Sequence, residues 1–332
     1  MTELTVCPGT LKAGFDSYSP AALRNVFSSK QVSYVLPYLS PKKDEETNEL
    51  FMENRKRISI SGVQEKLSII QVKNKLRLTE AGEQGSHILK PIPVDLKKVV
   101  EIPANEHLTM QIARQLYGIN TAANALIFFQ DGEPAYITKR FDLRKDGMKW
   151  NKEDFASLAG KTSQNANSDY KYEYDYVQIG KLIKQYIPAW RIEIERYFSM
   201  VVFNYLFSNG DAHLKNFAVL ENKNGDYLLS PAYDLINTRL HVDDSSFALN
   251  GGLMNEELRS DGYQRTDKPE NKDFVIFGRE IGIADKRIEK LLIPFCERND
   301  MVEVMINNSF LSESLKRGYL LHYNNRRNQL TK

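Results

Sequence analysis

No apolar stretch in the chain approaches the ~20 residues that a membrane-spanning helix needs, so no transmembrane helix is expected. The first six residues, Met1-Thr2-Glu3-Leu4-Thr5-Val6, offer neither a basic start nor an apolar core. They do not read as a signal peptide, and a cytoplasmic location is expected. Only two cysteines are present, Cys7 and Cys296, far apart and outside any CxxC or Cys/His cluster. They read as two reduced thiols rather than a disulfide framework or a zinc site. The net charge is only +2, which excludes a strongly basic nucleic-acid-binding surface over the whole chain. Internal repeats and low-complexity tracts are missing too.

What is there is ordinary globular material: 332 residues, 42% hydrophobic and 27% charged. That length suits one large domain or two lobes. Residues 1–56 read as an N-terminal appendage packing on a small lobe. In it, Ser19-Pro20-Ala21-Ala22-Leu23-Arg24 has a cap followed by Pro, the start of a helix. Residues 32–36 read as a short strand. Residues 57–145 read as strands around one helix. Ser68-Ile69-Ile70-Gln71-Val72 and Lys75-Leu76-Arg77-Leu78 flank Lys73-Asn74 as a hairpin, and His87-Ile88-Leu89-Lys90 is a further strand stopped by Pro91. Leu108, Ile112, Ala113 and Leu116 recur at helical spacing over 105–117, and Gly118 closes that helix. Strands are expected over 125–129 and 135–138. Residues 146–332 turn helical, with helices over 174–186, 190–208, 286–296 and 311–323. The helix over 190–208 is apolar nearly all round and is expected to be buried. Asp154, Asp169 and the basic end Arg326-Arg327 read as solvated. The fold class is α+β, with a β-rich lobe followed by a mostly helical lobe and a site between them.

The chemistry centres on Ser208-Asn209-Gly210-Asp211-Ala212-His213-Leu214-Lys215-Asn216 and on Ser230-Pro231-Ala232-Tyr233-Asp234. An Asp, an Asn five residues on, and a second Asp after an apolar stretch form the layout of a phosphotransferase. Asp211 takes or orients the acceptor proton in this reading, and Asn216 and Asp234 hold Mg²⁺ on the nucleotide phosphates. Residues 217–220 and 227–229 read as a hairpin turned by Asn224-Gly225, which would return Asp234 to Asn216. Lys215 could neutralise charge on the transferring phosphoryl group. Taken singly, each of these residues is an ordinary capping or turn residue; order and spacing carry the signal. Lys90, at a strand end sixteen positions before Glu106, suits the strand lysine and helix glutamate of a kinase. The run from Ser59 to Lys66 has one glycine and is no GxGxxG loop, yet its small residues could turn backbone N–H groups toward phosphate oxygens. His87, His107, His241 and His322 are scattered and read as structural.

These stretches together resemble the HipA family of bacterial serine/threonine kinases, the toxin halves of toxin–antitoxin pairs. The similar segments are Ile58-Ser59-Ile60-Ser61-Gly62-Val63-Gln64-Glu65-Lys66-Leu67, His87-Ile88-Leu89-Lys90, Pro103-Ala104-Asn105-Glu106, Lys139-Arg140-Phe141-Asp142, the Asp211 run and Tyr233-Asp234. The resemblance implies a two-lobed kinase-like fold with ATP and Mg²⁺ as cofactors. It implies Ser61, Gly62, Val63, Gln64, Glu65 and Lys66 over the phosphates, Lys90 beneath them, and Thr138, Lys139 and Arg140 at the adenine. Asp211 would be the catalytic Asp, His213, Lys215, Asn216 and Tyr233 would line the nucleotide site, and Asp234 would bind Mg²⁺. It also implies inhibitory autophosphorylation at Ser59, with Ser61 able to share the role. Phosphate adds about −1.5 to −2 charge, which would repel that loop from the nucleotide phosphates. The target implied is a serine of an aminoacyl-tRNA synthetase, whose loss halts translation. About 58 residues precede Ser59, where the longer members carry a whole additional subdomain. In this the chain is similar to HipT, the short toxin of three-component HipBST systems. Two partners are therefore expected, a HipS-like small protein and a HipB-like helix-turn-helix antitoxin, with operator DNA reached only through the antitoxin. A non-catalytic nucleotide-binding subunit of a repressor complex and a small-molecule phosphotransferase remain the competing readings.

Overall fold

The computed structural model describes residues 4–41, 66–93, 100–161, 169–243 and 245–332. The chain separates into two compact units. The first comprises residues 1–112, 122–148 and 301–316, and the second residues 113–121, 149–300 and 317–332.

The first unit is organised by a five-stranded antiparallel sheet. Its strands are β1 (Leu67–Val72), β2 (Lys75–Leu78), β3 (His87–Lys90), β4 (Asn124–Phe128) and β5 (Pro134–Lys139), in the order β2-β1-β3-β5-β4. β1 and β2 form the hairpin expected at Lys73-Asn74, with Val72 opposite Lys75 and Lys73 at a φ of 55°. Helix α1 (Pro20–Val26) starts where Ser19 accepts from the Ala22 N–H and Pro20 supplies the fixed φ of a first helical turn. It packs on β4, and its buried Ala22, Leu23 and Val26 join Cys7, Leu67, Ile69, Leu89, Ala125, Ile127 and Ile137 in one core. The Tyr18 hydroxyl donates to the Leu126 carbonyl at 2.7 Å, so its polar end is satisfied inside that core. Residues 32–36 are not a strand: Val35 makes an isolated parallel bridge to Phe128. Flanking N–H groups at Leu36 and Phe128 complete the contact with the edge of β4. Helix α2 (Ile102–Gln115) buries Leu108 and Ile112 completely.

The second unit holds a three-stranded antiparallel sheet, β6 (Lys152–Asp154), β7 (Ala218–Glu221) and β8 (Tyr227–Leu229), in that order. The β7–β8 hairpin is the one expected, with Glu221 opposite Tyr227 and Gly225 at a φ of 83°. Asp154 is not simply solvated; it accepts from the Ser157 N–H and caps the short helix α3 (Phe155–Leu158). Helix α4 (Tyr176–Tyr186) begins two residues later than expected, because Tyr174 has a φ of 86° and Asp175 forms a capping box with Gln178. Helix α5 (Trp190–Leu206) is buried along most of its length, as its apolar run implies. The further helices of this unit are α6 (Asp261–Thr266), α7 (Asn271–Glu280) and α8 (Asp285–Cys296); α9 (Asp300–Asn307) belongs almost wholly to the first unit, and α10 (Glu313–Leu330) closes the chain. Arg326 corrects the reading of a solvated basic end. It is 6% exposed, lies 4.5 Å over the Tyr205 ring and donates to Ser246. Both cysteines are free thiols, and the buried Cys7 sulfur accepts from the Ser19 and Gly9 N–H groups. No helix of the described residues is long and apolar enough to cross a membrane.

Candidate active site

In the second unit the site grows out of the end of α5. Helix α5 stops on a Schellman turn: the Asn209 N–H reaches back to the Asn204 carbonyl at 2.8 Å and the Ser208 N–H to Tyr205 at 3.1 Å. Ser208 takes the left-handed conformation there, at a φ of 54°. The side chain of Asn209 donates to Asn204 Oδ1, and the Gly210 N–H donates to Thr238 Oγ1 at 2.9 Å. Asp211 therefore leaves a buried helix through a turn whose backbone is held by Asn204, Tyr205 and Thr238, and its own carboxylate is 53% exposed.

Directly after it, His213 caps the single turn Leu214–Asn216. Its Nδ1 accepts from the Lys215 N–H at 3.3 Å, while its own backbone N–H donates to Asn216 Oδ1 at 3.1 Å. An Nδ1 that accepts places the ring proton on Nε2, and Nε2 is 4.0 Å from Asp211 Oδ1. Burial, helped by the nearby Lys171, pushes the His213 pKa down to about 4, so the ring is neutral at pH 7.

The β7–β8 hairpin brings the chain back as expected. Asn216 Nδ2 lies 3.5 Å from Asp234 Oδ2, and the Tyr233 hydroxyl donates to the Lys215 carbonyl at 2.8 Å. Asp234 is left-handed, with a φ of 58°, which turns its carboxylate toward Asn216 against ordinary backbone preference. One carboxylate beside one amide suits a hard cation that takes its remaining ligands from phosphate oxygens and water. Among the described residues no group of three or more His, Cys, Asp or Glu could hold an ion unaided.

Two further side chains touch this loop, and the sequence reading missed both. The turn Tyr170–Tyr172 packs beside Leu214–Asn216. The Tyr172 hydroxyl lies 3.3 Å from Asp211 Oδ1, and Lys215 Nζ lies 3.4 Å from the Tyr170 hydroxyl. The alternating run Tyr170-Lys171-Tyr172-Glu173-Tyr174 was the available signal: aromatic and charged residues alternate there with the period of a strand, yet Tyr170–Tyr172 forms a single turn.

In the first unit, Lys90 at the end of β3 meets Glu106 on α2. Nζ and Oε1 are 2.7 Å apart, and the side chains are only 5% and 3% exposed. The Lys90 ammonium also lies 5.3 Å from the Tyr136 ring centroid. Nearby on β5, Thr138 Oγ1 donates to the Ala123 carbonyl and Lys139 Nζ to Ser28 Oγ. Just beyond it, Arg140 makes a two-pronged pair with Asp142. Lys66 sits half-buried immediately before β1. Ser59, Ser61, Gly62, Val63, Gln64 and Glu65 lie outside the described residues.

Comparison with known proteins places the chain in a family and a fold. Residues 58–301 match the family model of the HipA-like C-terminal domain. A Haemophilus influenzae protein named "Putative kinase" is 28% identical over 313 residues, covering 89% of this chain and 87% of the relative. The Sinorhizobium fredii protein Y4dM, of the same designation, is 30% identical over 227 residues; the match spans 64% of this chain and 53% of that protein. Among solved structures, HipA from the Shewanella oneidensis complex of HipA, HipB and operator DNA superposes with a TM-score of 0.61 at 18% identity, covering 88% of this chain and 72% of that one. The Helicobacter pylori proinflammatory kinase CtkA gives 0.50 at 17% identity, covering 82% and 92%. The fold is kinase-like.

Proposed function

We infer the activity from a family membership that the match over residues 58–301 makes plain: the chain belongs to the proteins built on a HipA-like C-terminal domain. Within that family it acts as an ATP-dependent protein serine/threonine kinase. The observation that carries the reading is the grouping of Asp211, Asn216 and Asp234 around one turn, in a chain that also pairs Lys90 with Glu106.

The transfer is a single exchange. The acceptor hydroxyl oxygen bonds to the γ-phosphorus as the bond from that phosphorus to the β–γ bridging oxygen breaks. ADP leaves with the electron pair, and the hydroxyl proton passes to the Asp211 carboxylate. Lys215 and Lys90 offset phosphate charge. Neutral His213 holds the turn and keeps its Nε2–H toward Asp211. Asn216 and Asp234 would hold Mg²⁺, which when bound supplies positive charge against the phosphate oxygens. Kinship with the HipA family supports assigning Thr138, Lys139 and Arg140 to the adenine, and Tyr233 and the run from Ser61 to Lys66 to the rest of the nucleotide.

The biological role that fits this activity is a toxin of the HipA type in the cytoplasm, of the short HipT kind, acting on a serine of an aminoacyl-tRNA synthetase. Autophosphorylation at Ser59 or Ser61 would switch it off. A HipB-like antitoxin is supported by the kinship to a HipA crystallised with HipB and operator DNA. A HipS-like small protein is the second partner, and DNA is reached through the antitoxin alone. Incubating wild type and Asp211→Asn with Mg-[γ-³²P]ATP and a bacterial lysate tests the kinase. Label on discrete proteins and on Ser59 or Ser61 is expected from wild type only. Equal label from both proteins removes Asp211 from the reaction.

A further inference from the structure

Asp211 is the most exposed member of its cluster, and a carboxylate that must meet an acceptor hydroxyl needs its rotation fixed. Tyr172 is placed to fix it. We propose that Tyr172 is a positioning residue for phosphoryl transfer, holding the Asp211 carboxylate through the hydrogen bond from its phenol to Oδ1. The proposal deepens the kinase reading and rests on it.

Three observations build the case. The first is the contact itself, at 3.3 Å, between residues 39 apart in sequence. That is the long end of a hydrogen bond, which is common for catalytic contacts before the reactants are in place. The second is how firmly the donor is mounted. The Tyr172 N–H donates to the Asp169 carbonyl, the Asn250 N–H donates to Tyr172 O at 2.8 Å, and the Gly251 N–H donates to Tyr174 O at 2.9 Å. Tyr174 accepts an unfavourable φ of 86° within that arrangement. The third is the orientation of the ring. It packs T-shaped with the His213 ring at 5.4 Å and 73°, and the Lys171 ammonium covers its face at 4.7 Å. The ring is thereby clamped between the neutral histidine and a cation, with its hydroxyl directed at the carboxylate. Tyr172 and His213 thus approach the same oxygen of Asp211. The first stands on a separate segment, and the second belongs to the loop that Asp211 starts.

Tyr172→Phe removes the hydroxyl and keeps the ring against His213. Full-length wild type, Tyr172→Phe and Asp211→Asn are compared by initial rates of ³²P transfer from Mg-[γ-³²P]ATP into lysate protein across ATP concentrations. ATP binding by calorimetry and thermal melting are measured on the same samples. The maximal rate of Tyr172→Phe is expected to fall about tenfold, the worth of one hydrogen bond to a charged group at the weak end of its range. The half-saturating ATP concentration, the calorimetric affinity and the melting temperature are expected to stay as in wild type. A maximal rate that stays level or rises overturns the proposal. A fall matched by lost ATP affinity or lower melting overturns it too, because the phenol would then serve the nucleotide or the fold. If Asp211→Asn transfers as fast as wild type, the kinase reading itself fails, and Tyr172 has no carboxylate to position.

Discussion

Lys90 Nζ and Glu106 Oε1 lie 2.7 Å apart with both side chains sealed from water. A buried pair is compensated only while both partners are present. Glu106→Ala would leave a buried ammonium, and Lys90→Ala a buried carboxylate, each costing about 3–5 kcal/mol of stability. Replacing both by apolar residues of similar volume, Lys90→Met with Glu106→Leu, should cost far less, since no charge is left stranded. Urea unfolding of the two single variants and the double variant measures this. A double variant as unstable as the sum of the singles would show that the pair gives no mutual compensation.

Asp211 behaves in the opposite way. Its carboxylate is half in solvent, and the turn that carries it is held by Asn204, Asn209 and Thr238 rather than by the carboxylate. Asp211→Asn should therefore leave the melting temperature within about 2 °C of wild type. Phosphoryl transfer should fall by about 10²–10⁴, the usual worth of a positioned base. Thermal melting beside the ³²P assay separates the two effects, and a large loss of stability would mean the carboxylate is structural.

Acid should weaken the first unit through His87. Its Nε2 lies 2.9 Å from the Val26 carbonyl and its Nδ1 2.9 Å from Ser86 Oγ, inside the core beneath α1. Burial, with a smaller contribution from Lys139, lowers its pKa from 6.5 to about 4. Between those pH values the unfolded chain binds the proton and the folded one does not. The stabilisation is thus fully present above about pH 6.5 and drains as pH falls toward 4. The loss from this one group is on the order of 3 kcal/mol. His87→Gln should start less stable and show a shallower fall of the urea midpoint between pH 6.5 and 4.5. Parallel slopes in the two proteins would remove His87 as the source.

Local signals were legible where they agreed with tertiary structure. The β7–β8 hairpin announced itself by two short apolar runs on either side of Asn224-Gly225, and α5 by its apolar run. Lys90 and Glu106 could be paired in sequence because a strand end and a helix start each fix a direction. The failures have physical causes. Residues 32–36 have strand composition, but only Val35 meets a free edge. Helix α7 carries Phe274, Phe277 and, at its C-cap, Ile281 at helical spacing, but Val275 and Ile276 fill the gap and turn the stripe into a continuous apolar run. Its glycine, Gly278, lets two side chains approach closely: a Cβ there would sit 2.7 Å from Ile288 Cδ1 and 3.2 Å from Phe198 Cε2, so both would have to shift. Arg326 looked like tail because its aromatic partner Tyr205 lies on another helix. Tyr172 escaped notice for the same reason, since its contact with Asp211 joins two turns that have no sequence relation.

Asp234 offers the sharpest test of the metal assignment, because its backbone and its charge can be separated. Its φ of 58° is a conformation that Asn tolerates nearly as well as Asp and that Ala does not. Asp234→Asn should keep the turn, and with it the neighbouring Tyr233 hydroxyl bond to the Lys215 carbonyl. It removes one negative charge from beside Asn216. Asp234→Ala should lose the charge and strain the turn as well, lowering stability by about 1–2 kcal/mol. Calorimetry of ATP binding with Mg²⁺ and with EDTA reads the difference. Wild type should bind ATP more tightly with Mg²⁺ than without it, and Asp234→Asn should lose most of that increment. Its EDTA affinity should be no weaker than wild type, because a carboxylate without its cation repels the phosphates. An Asp234→Asn protein that keeps the full Mg²⁺ increment would remove this carboxylate from the metal site.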